Sequence, residues 1–384
     1  MTDILIVGDT ERSLELRHEI PLHVGDQFLY AETNGRRVSI VWSVEGDRIA
    51  KVDPTIELIP SETFSPTDLI EAGVGLYDLG PAQLARQVTS LGLARVAVPD
   101  NFPVRIADEL RGVGVELVVD QRLFDDRRRR KTAAELEGIR TASRANDAAM
   151  AAIADALARS EPGDGGRMLD DEPLTAELLK TFAAEVFAAH DCRGDDMIVA
   201  RGPQAADGHD QGSGRILNDD IVLCDLFPMH VDSHCYSDMT RTFFVGTPDP
   251  EFVEWHEQTA GALELARSLV RPGANGADVH KAVCSFYEER GHPTALSKQE
   301  GEVLRDGFYH GLGHGVGLDV HEAPSLGRVG HDLVVGDVIT IEPGLYRHGV
   351  GGVRLEDIVV VTEDGCETLT HFPLGHDPVV QTRA

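Results

Sequence analysis

Apolar and polar positions follow two different rhythms along the chain. In the first third, short β-branched runs, Val38–Val44 (VSIVWSV), Ala94–Asp100 (ARVAVPD) and Val115–Asp120 (VELVVD), read as strands. Between them, Pro81–Leu91 and Val104–Leu110 carry helical spacing, so residues 1–125 read as a small α/β domain. The run Asp125–Lys131 (DDRRRRK) marks a boundary, read as a hydrated linker whose arginines pair with Asp125, Asp126 and Glu135. Thr132-Ala-Ala-Glu135 then has the form of a capping box and opens an alanine-rich helix to about Ser160, broken by Glu161-Pro-Gly-Asp-Gly-Gly. Leu174–Ala189, Trp255–Val270 and Gly276–Arg290 have the same periodicity, the last two stopped by Arg271-Pro-Gly and by Gly291. The remaining segments, IVLCDLF, SDMTRTFFVG, VITIEPG and VRLEDIVVVTEDG, are strand-like, so residues 126–384 form one α+β domain.

Composition narrows the function. With 35 Lys+Arg against 65 Asp+Glu, the net charge of −30 excludes a general nucleic-acid binder, whose affinity comes from cations that displace backbone counterions. No window approaches the 18 or so apolar residues of a membrane span, and the start MTDILIVGDT lacks the basic flank of a signal peptide. A cytoplasmic protein is expected. Five scattered cysteines without a CxxC pair read as small buried apolar residues rather than as disulfides or a thiolate zinc site.

Chemistry surfaces where strands carry residues a strand core should not. Asp225 lies in IVLCDLF, Asp238 begins the next strand, Glu342 lies in VITIEPG, and Arg354 and Glu356 share a face of VRLEDIVVV by the period of two. One carboxylate in a strand is ordinarily an edge position facing water. Four converging in a closed site need compensation, because like charges a few ångströms apart disfavour each other; two divalent ions balance four carboxylates. Oxygen-rich ligation with one or two imidazoles suits Mn²⁺, and also Zn²⁺, Co²⁺ or Fe²⁺. The imidazoles come from FYHGLGHGVGLDVHEAP, where His310, His314 and His321 stand among four glycines that argue against a helix and for backbone passing close to something.

In this order, Asp225, SDMTRTF, HGLGHGVGLDVHE, IEPGLY and VRLEDIVVVTEDG resemble the metal-binding strands of the pita-bread metallopeptidases, the family of Xaa-Pro aminopeptidase, Xaa-Pro dipeptidase (prolidase), methionine aminopeptidase and creatinase. The resemblance covers the second domain, and the smaller domain in front resembles that of the creatinase-like, proline-specific members. It implies a pita-bread catalytic domain behind an α/β creatinase-like one. It also implies two divalent metal ions held by Asp225, Asp238, His314, Glu342 and Glu356, with Asp238 and Glu356 bridging. Glu342, His321 and His310 would be catalytic: Glu342 shuttling the proton and His321 stabilising the tetrahedral intermediate. His209, His310, His321 and Arg354 would bind substrate.

The implied reaction is hydrolysis of an Xaa-Pro bond, at a peptide N-terminus or in a dipeptide, through a metal-bridging hydroxide. The implied substrate is a peptide with proline in second position, and a homodimer is expected. The alternatives are a hydrolase of a small non-peptide amide and a catalytically silent peptide-binding module. One departure stands out: Asp225 and Asp238 are 13 residues apart, against a common 11, with Phe227-Pro228 where a glycine often stands.

Overall fold

The structure, a computed structural model, describes residues 2–381. The chain divides into two compact units, Met1–Arg128 and Arg129–Ala384. Among the described residues no helix is long and apolar enough to cross a membrane.

The first unit holds strands β1 (Ile4–Gly8), β2 (Phe28–Thr33), β3 (Arg36–Val41), β4 (Glu57–Pro60), β5 (Arg95–Val98) and β6 (Glu116–Val119), and helices α1 (Leu14–Glu19), α2 (Ser43–Val52), α3 (Thr67–Glu71), α4 (Leu76–Ser90), α5 (Val104–Gly112) and α6 (Gln121–Arg128). The six strands form one mixed sheet in the order β4-β3-β2-β1-β5-β6. Successive residues of β1 enter opposite cores, as the pleat requires. Leu5 and Val7 pack with Leu84, Val88 and Leu110 of α4 and α5, while Ile4 and Ile6 pack with Leu16, Ile49 and Phe124 of α1, α2 and α6. Three expectations need correction. The strand expected to Val44 stops at Val41, because Ser43 already starts α2, and the helix expected from Pro81 begins at Leu76. The arginine run is no hydrated linker. It ends α6, and within the first unit Arg127 bonds Glu19 and Glu32 while buried Arg128 pairs with Glu15. In the second unit, Arg129 forks onto Asp337 at 2.9 and 2.7 Å with both side chains buried.

The second unit opens with α7 (Ala133–Arg159), whose capping box is complete: Glu135 N donates to Thr132 Oγ1 at 3.1 Å and Thr132 N to Glu135 Oε2 at 2.7 Å. A small sheet of β7 (Glu161–Gly163), β8 (Gly166–Leu169) and β9 (Glu172–Pro173) precedes α8 (Ala176–Ala189). Then come β10 (Cys192–Arg193), β11 (Met197–Arg201), β12 (Asp220–Leu226), β13 (Met229–His230) and β14 (Met239–Val245), followed by α9 (Pro250–Leu269) and α10 (Gly276–Glu288). The last strands are β15 (Asp306–Gly307), β16 (Gly313–Gly315), β17 (Glu322–Leu326), β18 (Val338–Ile341), β19 (Gly344–Arg347), β20 (Gly351–Arg354), β21 (Asp357–Val361) and β22 (Cys366–Thr368). Three sheets matter for the site: β11-β12-β14, β15-β19-β20 and β17-β16-β18-β21-β22. One apolar core joins α7 and α8 to β12 and β14 through Ile153, Phe187, Val222 and Phe243; another joins α9 and α10 to β18, β20 and β21 through Leu263, Val283, Ile339, Val353 and Val359. Full burial of each such side chain contributes about 1.5–3 kcal/mol, so the strands that carry the polar residues below are rigidly backed. The cysteines are free, four of them buried.

Candidate active site

Antiparallel register sets the first pair of carboxylates. On β12 and β14, Asp225 faces Thr240 and Leu226 faces Met239, so Asp238 stands just before β14 at the same end of the ladder as Asp225. The longer loop between the two strands turns through β13, which pairs with β10, and leaves that register intact. His314 is the middle residue of β16, between β17 and β18, where the ladder shifts register after it. A Cβ on Gly313 would fall on the Thr340 carbonyl, and one on Gly315 on the Ala323 carbonyl, so only glycine allows neighbouring strands this close. His314 N donates to Thr340 Oγ1 at 3.0 Å, which fixes the ring-bearing residue. Glu342 directly follows β18, and its N donates to Leu312 O at 2.9 Å.

The segment Arg354–Glu356 differs from expectation. It is not one strand: β20 pairs with β19, β21 pairs with β18, and Leu355–Glu356 link the two sheets. Three consecutive residues of β14 hold the link. Thr240 Oγ1 donates to Glu356 Oε2 at 2.7 Å and accepts from Arg354 Nε at 3.1 Å, and Thr242 Oγ1 accepts from Arg354 N at 3.1 Å. From the opposite face of β14, fully buried Arg241 donates to Glu356 O at 2.6 Å and to Asp357 Oδ1 at 2.8 Å. The role of this Thr-Arg-Thr triplet went unread in the sequence. Its signal was there, since polar residues in a strand buried from end to end need internal partners.

All nine side chains singled out in the sequence line one cavity of about 700 Å³. His314 Nε2 lies 3.6 Å from Glu342 Oε1 and 3.9 Å from Asp238 Oδ2, and His310 Nδ1 lies 3.8 Å from Glu342 Oε2. The ring of His314 meets that of His321 edge to face at 4.2 Å. Arg354 donates to Asp225 Oδ2 at 2.5 Å. His310 is held by Gly311 O at 2.7 Å and by the hydroxyl of Tyr346 at 2.9 Å. His209 and His321 are exposed at the rim, beside Asp196, Asp207, Tyr309 and His348, which sequence reasoning did not single out.

The carboxylates are frustrated as they stand. Burial, then the charges of Glu356, Asp225 and Glu342, hold Asp238 well above the usual carboxylate range. Burial, then Glu342 and Asp225, do the same to Glu356, and burial pushes Glu342 up to about 7 against the pull of Arg354. Burial also keeps imidazoles uncharged, lowering His314 to about 4 and His310 to about 3. Among the described residues, Oδ1 of Asp225 and Oδ1 of Asp238 are buried with no hydrogen-bond donor. One ligand atom from each of Asp238, His314 and Glu356 lies within 4.8 Å of the others. Acceptor oxygens without donors, converging with an uncharged imidazole, are the donor set of a divalent cation, so these residues fit one.

The comparisons agree with this geometry. The sequence profile of metallopeptidase family M24 matches residues 137–363. A probable dipeptidase PepE of Mycobacterium tuberculosis is 30% identical over 361 residues, 91% of this chain and 87% of its own. An Xaa-Pro dipeptidase of Pyrococcus furiosus is 35% identical over 243 residues, 62% of each chain. Among solved structures, an Xaa-Pro dipeptidase from Bacillus anthracis superposes with a TM-score of 0.77 at 22% identity, covering 98% of this chain and 94% of its own. The α+β pita-bread fold anticipated from the motifs is thus the fold observed. With the profile spanning more than half of its length, the chain belongs to metallopeptidase family M24.

Proposed function

We propose that this protein is a dinuclear Xaa-Pro peptidase, and the observation that carries the reading is the convergence of five ligand-type side chains, two with orphaned oxygens, in one substrate-sized cavity. Asp225, Asp238, His314, Glu342 and Glu356 would hold two divalent ions, and the oxygen-rich set favours Mn²⁺. Bound there, the ions supply Lewis-acid polarisation of the scissile carbonyl and a water that ionises near neutral pH. Glu342 would also take a proton from the attacking water and return it to the leaving nitrogen. His321, at the rim beside His314, is placed to donate to the oxygen of the tetrahedral intermediate. His310 is oriented by Gly311 O and Tyr346 to meet substrate. Arg354 holds Asp225 in place through its hydrogen bond to Oδ2. His209 lies on the same wall, available to the bound peptide. A proline amide nitrogen has no hydrogen to donate, so recognition rests on shape and on the carbonyl. By the same resemblance the protein works as a homodimer.

The test is a release assay on chelated and then Mn²⁺-loaded protein offered Ala-Pro, Ala-Pro-Pro and Ala-Ala-Ala. Metal-dependent cleavage restricted to the proline substrates supports the reading. Metal binding without cleavage of any of the three removes it in favour of a small-amide hydrolase.

A further inference from the structure

Charge on the cavity wall is one-sided. Six carboxylates face it, those of Asp196, Asp207, Asp225, Asp238, Glu342 and Glu356, against the single guanidinium of Arg354. Formally five negative charges remain, and two divalent ions offset four. Arg354 is already engaged, with NH2 on Asp225 at 2.5 Å, Nε on Thr240 at 3.1 Å and NH1 on Tyr346 at 3.3 Å. Among the described residues that line the cavity there is no other Lys or Arg. The Tyr309 hydroxyl donates to Ala206 O at 2.7 Å, which pins the loop carrying Asp207 and His209. Asp196 stands one residue before β11, two residues from Ile198, which pairs with Asp225 in the ladder and also lines the cavity. Two exposed acids therefore flank the cavity on separate segments.

Chain length decides what this means for a substrate. In a dipeptide, the proline carboxylate lies within one residue of the scissile bond, about 3.5 Å, and so inside the negative cavity. Each further residue carries that carboxylate outward by a similar step. Placing it inside sets it among carboxylates that the two ions do not fully offset, with no free Lys or Arg on the lining to receive it. Resting on the Xaa-Pro reading above, we propose that the site selects peptides that continue past the proline, prefers a cationic residue in third position, and discriminates against a free carboxylate on the proline itself.

The experiment compares kcat/KM of the Mn²⁺-loaded full chain for Ala-Pro, Ala-Pro-amide, Ala-Pro-Lys and Ala-Pro-Glu at low and high salt. The amide is expected to exceed the free dipeptide at least tenfold. The Lys tripeptide should exceed the Glu tripeptide several-fold at low salt, with the ratio shrinking in high salt and in Asp196→Asn and Asp207→Asn. Equal turnover of Ala-Pro and its amide, or of the two tripeptides, would overturn the proposal. A Lys-to-Glu ratio unchanged in both variants would overturn its assignment to these two acids. Failure to cleave any of the four with metal bound would instead remove the Xaa-Pro reading, and this inference with it.

Discussion

Stripping the divalent ions should cost the second unit more stability the higher the pH climbs through neutrality. Glu342 is pushed from an ordinary 4.5 up to about 7, and Asp238 and Glu356 are raised with it, so the metal-free fold keeps protons that the unfolded chain has released. A raised carboxyl contributes its stability below the unfolded value and loses it as pH climbs through the folded one. At about 1.4 kcal/mol per pH unit, Glu342 alone loses roughly 3 kcal/mol between pH 4.5 and pH 8, a large share of the 5–15 kcal/mol typical of a domain. The buried histidines oppose this, most steeply in acid. His310, lowered to about 3, and His314 and His256, each lowered to about 4, cost stability below about pH 6.5, where the unfolded rings take up protons. From pH 6.5 to 8.5 the unfolded rings still release their last protons, which returns about 0.4 kcal/mol per lowered histidine. Those rings are uncharged in the metal-loaded fold as well, so the return cancels when chelated and Mn²⁺-loaded protein are compared, and in that difference Glu342 contributes about 1 kcal/mol, with Asp238 and Glu356 adding to it. Urea unfolding of chelated protein, followed by the fluorescence of buried Trp255 in a Trp42→Phe background, reads the second unit alone. The stability gap between Mn²⁺-loaded and chelated protein should therefore widen by about 1 kcal/mol or more across the window, because bound ions displace the protons from the carboxyls at every pH in it. A gap between the two forms that stays constant or narrows from pH 6.5 to 8.5 would refute the electrostatic account.

Three further outcomes follow from the same contacts. Asp238→Asn should abolish hydrolysis, yet by removing one of the crowded acids it should raise the stability of chelated protein near pH 8 by about 1–2 kcal/mol in the urea assay; lower stability there would show that the carboxyls do not repel one another. Arg241→Met strips the Glu356 carbonyl of its donor and leaves the buried Asp357 carboxylate with Thr370 Oγ1 but without its cation, so unfolding should become easier by about 3–5 kcal/mol, and Arg241→Lys should recover only part of it, since an ammonium cannot reach so many acceptors. Tyr346→Phe removes the hydroxyl shared by His310 and Arg354, and kcat/KM is expected to fall roughly tenfold with the melting curve little changed. An unchanged rate would take Tyr346 out of the positioning of His310.

The active-site residues were legible because they are anomalies. A carboxylate in a β-branched run, or three imidazoles among four glycines, violates the pattern expected of a strand, and each violation led to the same cavity. What stayed hidden was whatever depends on partners far away in sequence. β1 is buried on both faces, so its run ILIV shows no alternation, and it went unassigned beside strands of similar length. Arg127, Arg128 and Arg129 look like a solvated cluster until Glu19, Glu15 and Asp337 are brought to them. The break at Leu355 could not be seen either, since both halves of VRLEDIVVV have strand composition and only pairing with different sheets separates them. The triplet on β14 was quoted as part of a motif, but which backbone it braces is a matter of topology.

The ligand-type side chains are spread from β12 to the β20–β21 link, and Arg354 meets Asp225 across 129 residues of chain. Such a site cannot assemble locally. No helix, hairpin or partial product ending before Glu356 contains both the carboxylate of the Thr240-braced link and those of the β12–β14 ladder, and contacts this distant in sequence form late because closing the intervening loop carries an entropic cost. Ion uptake therefore cannot nucleate this fold; it reports that folding has finished. A nascent chain that has not reached Glu356 lacks one of the converging carboxylates, which confines hydrolytic competence to molecules in which the β20–β21 link is in place.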